Sequence, residues 1–424
     1  MPSLVRVVVI ALIAYTALTM ALQLAFEDVV QLSVGPVHVY LFDLLLLATL
    51  LLVLREALSD EAQPIHSSNR TVVFLVLGYC AYQVAVILPV SVIFHGLDPI
   101  SVARDIENRV ALILIPFVYL VALKYFPPRR LVLLVNVAAV LLVLYAVYRY
   151  ATVGPTYDSG FRLRELWGGS TFLFAFLVLT SIFLARPSIV SYAAAVLGLV
   201  GIALTNHRSG YLALLVVAIP LFFHFRRASL RIVAILVVVA ISAAFLLAMS
   251  PTIRQSTYYS VRTMLNPTAD QTAVDRVDRS KLGWDYFVAN PLGDYAWSHR
   301  YYLVDVGPDN FEPHNFVVQV LAEQGIVGLA LIGAISFLIM RIAWRNRAAD
   351  RMSAVMLACF VFYLFFNLFN TNLINTWNIM LLAVPAGLIL GSNAAPATAL
   401  TPDDAGMLPF GRGRASTSVV ERAE

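Results

Sequence analysis

The stretch that decides the fold is HNFVVQVLAEQGIVGLALIGAISFLIM, residues 314–340. It opens on an imidazole and an amide, His314-Asn315, and then runs almost wholly apolar from Phe316 to Met340. A helix needs about 20 apolar residues to cross a bilayer, so this run predicts a membrane span. Just before it, residues 250–313 are polar and rich in aromatic side chains. An imidazole where a large wet loop turns into a membrane helix points to chemistry on something held in the bilayer.

Outward from this stretch the same signal recurs. Twelve apolar runs are candidate spans: 5–25, 37–54, 71–94, 107–123, 131–149, 168–185, 188–205, 209–225, 231–249, 314–340, 352–370 and 375–391. The chain is 60% hydrophobic and only 13% charged, against about 25% charged in ordinary soluble domains. Gly and Pro fall inside the runs, as membrane helices tolerate. The runs are too long, and alternate too little, for β-barrel strands. The expected fold is an all-α integral membrane protein of about twelve transmembrane helices. Residues 1–249 hold helices one to nine, 250–313 a loop domain with short helices, and 314–391 helices ten to twelve. Residues 392–424, rich in Ala, Pro, Gly and Ser, read as a disordered tail.

Lys and Arg set the orientation. Twelve spans put both termini on one side, where the short segments carry 14 Lys and Arg; the opposite short loops carry six, Arg104, Arg109, Arg149, Arg162, Arg164 and Arg208. The positive-inside rule then places both termini in the cytoplasm and the 250–313 loop on the far face. The net charge of +4 reflects this bias. No basic stripe stands apart from the membrane edges, which argues against nucleic-acid binding. Cys80 and Cys359 both fall inside spans, so no disulfide framework is expected for the loop. The first apolar run is long and lacks a clear cleavage site, so it reads as a retained helix and not as a signal peptide.

Three polar connections stand out. Residues 95–109 carry alternating charge and read as a polar outer turn, with an interfacial helix as the alternative; 150–167 form a second loop with Gly154-Pro155 and Gly160 as turn signals. The third, 250–313, contains a helical pattern from Val274 to Ala289, stopped by Asn290-Pro291 because the residue before proline is pushed out of the α region. Gly293-Asp294-Tyr295 and a Tyr- and Trp-rich stretch follow. There is no internal repeat of the kind many transporters show.

Several side chains could carry chemistry. His314 follows Pro313 at a helix start, where the positive end of the dipole disfavours imidazolium, and a neutral imidazole is a competent general base. The plainer reading is an interface residue that hydrogen-bonds the loop. Arg208, in Leu204-Thr205-Asn206-His207-Arg208-Ser209-Gly210, runs against the positive-inside bias. Its guanidinium suits a phosphate, or it snorkels to lipid headgroups. On the loop helix, Asp275 and Arg279 have the spacing of a helical ion pair, which leaves Arg276 as the better candidate for an external anion. Arg300, beside His299, is a further cation there. Gly325 and Gly328 read as a small-residue face for close helix packing. Glu323 is a costly membrane carboxylate, either functional or paired with a polar group such as Asn367, Asn370 or Asn372. Asp43 carries the same ambiguity. HExxH, Asp-x-Asp, Cys/His clusters and Walker loops are absent, so a donor substrate must come pre-activated from the membrane.

From His314 the run HNFVVQVLAEQGIVGL resembles the signature of the O-antigen ligase/polymerase superfamily: His-Asn, then Glu-x-Gly-(Ile/Val)-(Ile/Val)-Gly-Leu. The turn with Thr205, Arg208 and Gly210 is similar to that family's Thr-x-Ser-Arg turn, and Asn290-Pro291-Leu292-Gly293 to its Pro-Leu-x-Gly segment. Arg276 falls where the family tends to have its loop arginine. Asn206-His207 stand where small residues are usual, and Trp284 departs from the family's tryptophan spacing. The resemblance implies a GT-C-like, metal-independent, inverting glycosyltransferase of the bacterial inner membrane with its active site in the periplasm. No cofactor is implied. The donor would be a glycan on undecaprenyl diphosphate and the acceptor a lipid A–core sugar. Arg208 and Arg276 would hold the diphosphate and His314 would deprotonate the acceptor hydroxyl, with Asn315, Arg279, Arg300 and His207 as possible supports. An O-antigen or exopolysaccharide polymerase, or a protein O-oligosaccharyltransferase, would share this machinery. A lipid-linked sugar flippase is the non-enzyme rival and predicts charged or broken helices around a midplane cavity.

Overall fold

The computed structural model describes residues 67–123, 126–153, 168–205, 208–225, 271–295, 315–369 and 376–392, with a short hairpin at 31–34 and 37–40 and a few isolated positions nearer the N-terminus. Most of the expected spans 5–25 and 37–54, all of 231–249 and the 393–424 tail lie outside them.

Helices dominate. In chain order they are α1 (Ser67–Tyr82), α2 (Pro99–Ala122), α3 (Pro128–Val153), α4 (Gly168–Phe183), α5 (Ile189–Thr205), α6 (Arg208–His224), α7 (Gln271–Ala289), α8 (Phe316–Asn346), α9 (Arg351–Asn367) and α10 (Thr376–Ser392). Two departures from the expected pattern appear. Strands β1 (Gln31–Val34) and β2 (Val37–Tyr40) pair antiparallel, with Gln31 opposite Tyr40. Residues 37–40, expected to open a span, are therefore extended: a short Val-containing segment meets a partner strand. The second departure is at 95–109. Asp98 caps a single helix whose Pro99 stands in the first turn, and that helix continues unbroken into the apolar run.

Three described helices are long and apolar enough to cross a membrane: Arg70–Phe94, Pro128–Arg149 and Phe316–Asn346. Six shorter apolar helices accompany them. Large apolar side chains face outward along them, among them Phe74, Leu77, Leu141, Phe223 and Phe337. Such a surface suits hydrocarbon and not water. This is a membrane protein.

α4 is the hub. From Ser170 to Phe183 all but nothing of it is exposed, as expected for a helix apolar all round. It packs against α3, α5, α6, α9 and α10. Phe172 meets Tyr363 edge-on at 5.0 Å between ring centres. α5 approaches closely because Gly198 and Gly201 carry no side chain: a Cβ there would fall 2.7 Å from Val178 Cγ2 and 2.6 Å from the Phe174 ring. Thr171 and Thr205 join the two helices by a 3.2 Å hydrogen bond.

Candidate active site

α8 is broken in its middle. Gly325 has φ 63° and ψ −170°, a conformation essentially confined to glycine. The break frees backbone groups, and the rest of the molecule satisfies them. The Ile326 amide donates to Pro291 O at 3.1 Å, and Ala322 O accepts from the Asp294 amide at 3.4 Å. The Tyr82 hydroxyl lies 2.8 Å from Leu292 O and 2.9 Å from Gln324 O, donating between the two carbonyls. The turn after α7 thus plugs the break in α8. Gly293, at φ 75°, sits directly against Gly325. Gly325 was expected to be a helix-packing residue; it is instead the hinge of a discontinuous helix. Gly328 lies against the Gln324 side chain.

A buried polar network surrounds the break. Gln324 Oε1 accepts from Tyr79 at 2.8 Å and from Gln83 Nε2 at 3.1 Å. Gln83 Oε1 accepts from the Tyr295 hydroxyl, and the Tyr295 amide donates to Ser91 Oγ, both at 3.1 Å. Burial pushes the Tyr295 phenol well above its usual pKa, so it serves as a neutral donor. Asp294, 1% exposed, accepts from Tyr286 at 2.6 Å and meets His95 Nε2 at 3.1 Å. Gln83–Ile87 and Val90–Phe94 form two π-helical turns, a distortion common at functional sites. These polar side chains were not among the expected site residues, although the sequence carries a signal that could have found them. Tyr79, Gln83, Ser91 and His95 recur four and eight residues apart within an otherwise apolar span.

Glu323 finds a partner that the sequence reading did not propose. Arg109 Nη2 lies 2.5 Å from its carboxylate, and Gln319 Nε2 donates to it at 2.9 Å. Both charges are buried, at 4% and 1% exposure. Arg109 is therefore not a loop arginine facing headgroups. Its helix runs on through the apolar run, so the guanidinium is carried inside, where only an anion repays its desolvation. Removing one partner strands the other. Glu323→Ala is expected to destabilise the extracted protein by about 3–5 kcal/mol, whereas Arg109→Met with Glu323→Leu recovers most of that loss. Thermal melting in detergent measures both, and an unchanged melt for Glu323→Ala would remove the pair from the fold's supports.

Asn315 shapes the start of α8. Its extended backbone (φ −141°, ψ 111°) lets the side-chain oxygen accept from the Val317 and Val318 amides at 3.0 and 3.3 Å. Those are two of the four donors that a helix start leaves unmatched. The helix expected from 314 therefore begins at Phe316. His314, His207 and Arg300 lie outside the described residues. Arg276 and Arg279 are half-buried on α7, which begins three residues before the expected Val274 and ends at the expected Ala289. Arg208 is the first residue of α6, and its side chain lies outside the described set. α7 packs against α8, while α6 packs against α9 and α4, and α9 packs against α8. The helix bearing Arg276 thus touches the helix that Asn315 caps, and the helix bearing Arg208 is one neighbour removed.

A discontinuous membrane helix plugged by a loop turn, with buried charge beside the break, defines a polytopic membrane protein built around a site at a broken helix. Residues 193–333 match a family model described as O-Antigen ligase. That region belongs to the O-antigen ligase superfamily, whose members are glycosyltransferase-like ligases or polymerases. No curated protein matches the chain.

Proposed function

We propose that this protein transfers a polysaccharide from undecaprenyl diphosphate to a lipid A–core sugar hydroxyl at the periplasmic face of the bacterial inner membrane. The observation that carries the reading is the extent of the family match. Residues 193–333 enclose Arg208, Arg276 and His314, the three residues that the reaction needs. The leaving group is a diphosphate, and two guanidinium groups stabilise its developing charge without a metal. A sugar hydroxyl attacks once a base takes its proton, which is the role of His314. Attack opposite the diphosphate inverts the anomeric carbon.

The lipid tail needs an apolar berth. An apolar cleft lies among α1, α2, α8, α9 and α10, lined by Val72, Phe117, Phe316, Ile335 and Leu364 among others. Phe316 follows the cap residue Asn315 directly, so the berth reaches the end of α8 where the chemistry is proposed. Its lining is apolar except for Ser336, which suits a hydrocarbon tail better than the sugars a flippase would carry.

The test is reconstitution in liposomes with a lipid-linked glycan and three acceptors offered separately: lipid A–core, a second lipid-linked repeat, and a peptide. Glycan on lipid A–core is the expected product, with the rate unchanged by a chelator. Product only on the lipid-linked repeat would make it a polymerase, and product only on the peptide a protein glycosyltransferase. Full loss in chelator would refute the metal-free chemistry.

A further inference from the structure

The plugged break joins the two elements that carry candidate residues. On one side the Pro291–Tyr295 turn continues from Ala289, the last residue of α7, which bears Arg276. On the other, Gly325 separates the half-helix 316–324, capped by Asn315, from the rest of α8. The contact leaves no slack. A Cβ on Gly293 would fall 2.1 Å from the Gly325 nitrogen, and one on Gly325 would fall 2.3 Å from the Leu292 carbonyl carbon. A third element grips the same turn. Tyr82 bonds the carbonyls on both sides of the joint, Ser91 accepts from the Tyr295 amide, and His95 meets Asp294. All three gripping residues come from the α1–π-turn stretch, some 200 residues upstream of the turn they hold.

Resting on the transfer reading above, we propose that Tyr82, His95 and Asp294 are positioning residues. They clamp the Pro291–Tyr295 turn into the break of α8 and so set the helix of Arg276 against the capped start of α8. None of the three is assigned contact with substrate. The leverage is geometric. Arg276 lies 13 residues before Ala289, about 20 Å along a helix at 1.5 Å per residue. A small tilt at the clamp swings the guanidinium by about an ångström, and a misplacement of that size can cost about 100-fold in rate.

The experiment compares the full-length chain with Tyr82→Phe, His95→Ala, His95→Gln and Asp294→Asn, all held in nanodiscs. Hydrogen exchange is followed at the Asp294, Tyr295 and Ile326 amides, and steady-state transfer is followed alongside it. Tyr82→Phe, His95→Ala and Asp294→Asn are expected to speed exchange at those amides by about 10-fold, the effect of losing one hydrogen bond, and to leave α3 unchanged. Transfer should fall by about 10- to 100-fold, chiefly in kcat, with the KM for the lipid-linked donor little moved and the melting temperature near wild type. His95→Gln keeps a donor for Asp294 and should restore both readouts. Unchanged exchange, or activity that falls only in step with folded protein, overturns the proposal. If the wild type transfers no glycan to any acceptor, the transfer reading fails, and exchange alone then decides whether the clamp exists.

Discussion

Replacing His314 by Ala is expected to lower glycan transfer by about 100- to 10,000-fold, the usual worth of a positioned general base, while the protein stays in the membrane. The reasoning starts at Asn315. Its side chain caps α8, His314 is its neighbour in the sequence, and the proposed role of that imidazole is to take the proton of the acceptor hydroxyl. Arg208→Ala and Arg276→Ala should each lose about 100- to 1,000-fold, the cost of deleting one preorganised donor to a developing negative charge. Lysine should rescue neither fully, because it is a point charge and cannot match a fork of donors to phosphate oxygens. If the three act as one unit, as proposed, their losses will not add. Initial rates in liposomes, with equal amounts of inserted protein, decide the matter. Normal transfer by His314→Ala would end the general-base role.

Gly325→Ala is the second large effect, and Gly333→Ala on the same helix is its control. At Gly333 a methyl group meets nothing within 4 Å, so Ala should be neutral or stabilise by up to about 1 kcal/mol through helix propensity. At Gly325 the backbone conformation alone costs a side chain about 1–3 kcal/mol. The methyl group would also press on the Leu292 carbonyl carbon at 2.3 Å and on Pro291 O at 2.4 Å. Neither atom can swing aside, because both belong to the backbone of the turn. Either the turn is expelled, exposing the carbonyls of Ala322 and Gln324, or the helix straightens and loses the same contacts. Gly325→Ala should therefore melt well below both wild type and Gly333→Ala and lose transfer. Equal melting of the two variants would show that the break is not a fixed feature of the fold.

The residues themselves disclosed the helical membrane class, the loop helix ending at Ala289 and its stop at Asn290-Pro291, because those signals are local: apolar length, periodicity and proline sterics. They also pointed to the superfamily, through motifs at Arg208, Pro291 and His314, and the family match over 193–333 supports that superfamily. The site was only half legible. The candidate cations and the imidazole stood out as charge in unexpected places, whereas the side chains that hold the joint, Tyr82, Ser91 and His95, looked like ordinary polar residues in a span.

Tertiary structure alone decided the rest. Glu323 could have paired with any polar group in the membrane, and its choice of Arg109 depends on α2 and α8 meeting across 214 residues of chain. Gly325 looks the same in one dimension whether it packs a helix or breaks one. Here the break is set by Tyr82 and the Pro291–Tyr295 turn, which supply from afar the hydrogen bonds that the helix gives up. Inside a bilayer no water can take over those bonds, so a helix breaks only where another part of the chain arrives to replace them. That meeting is a property of the folded molecule, and no local pattern encodes it.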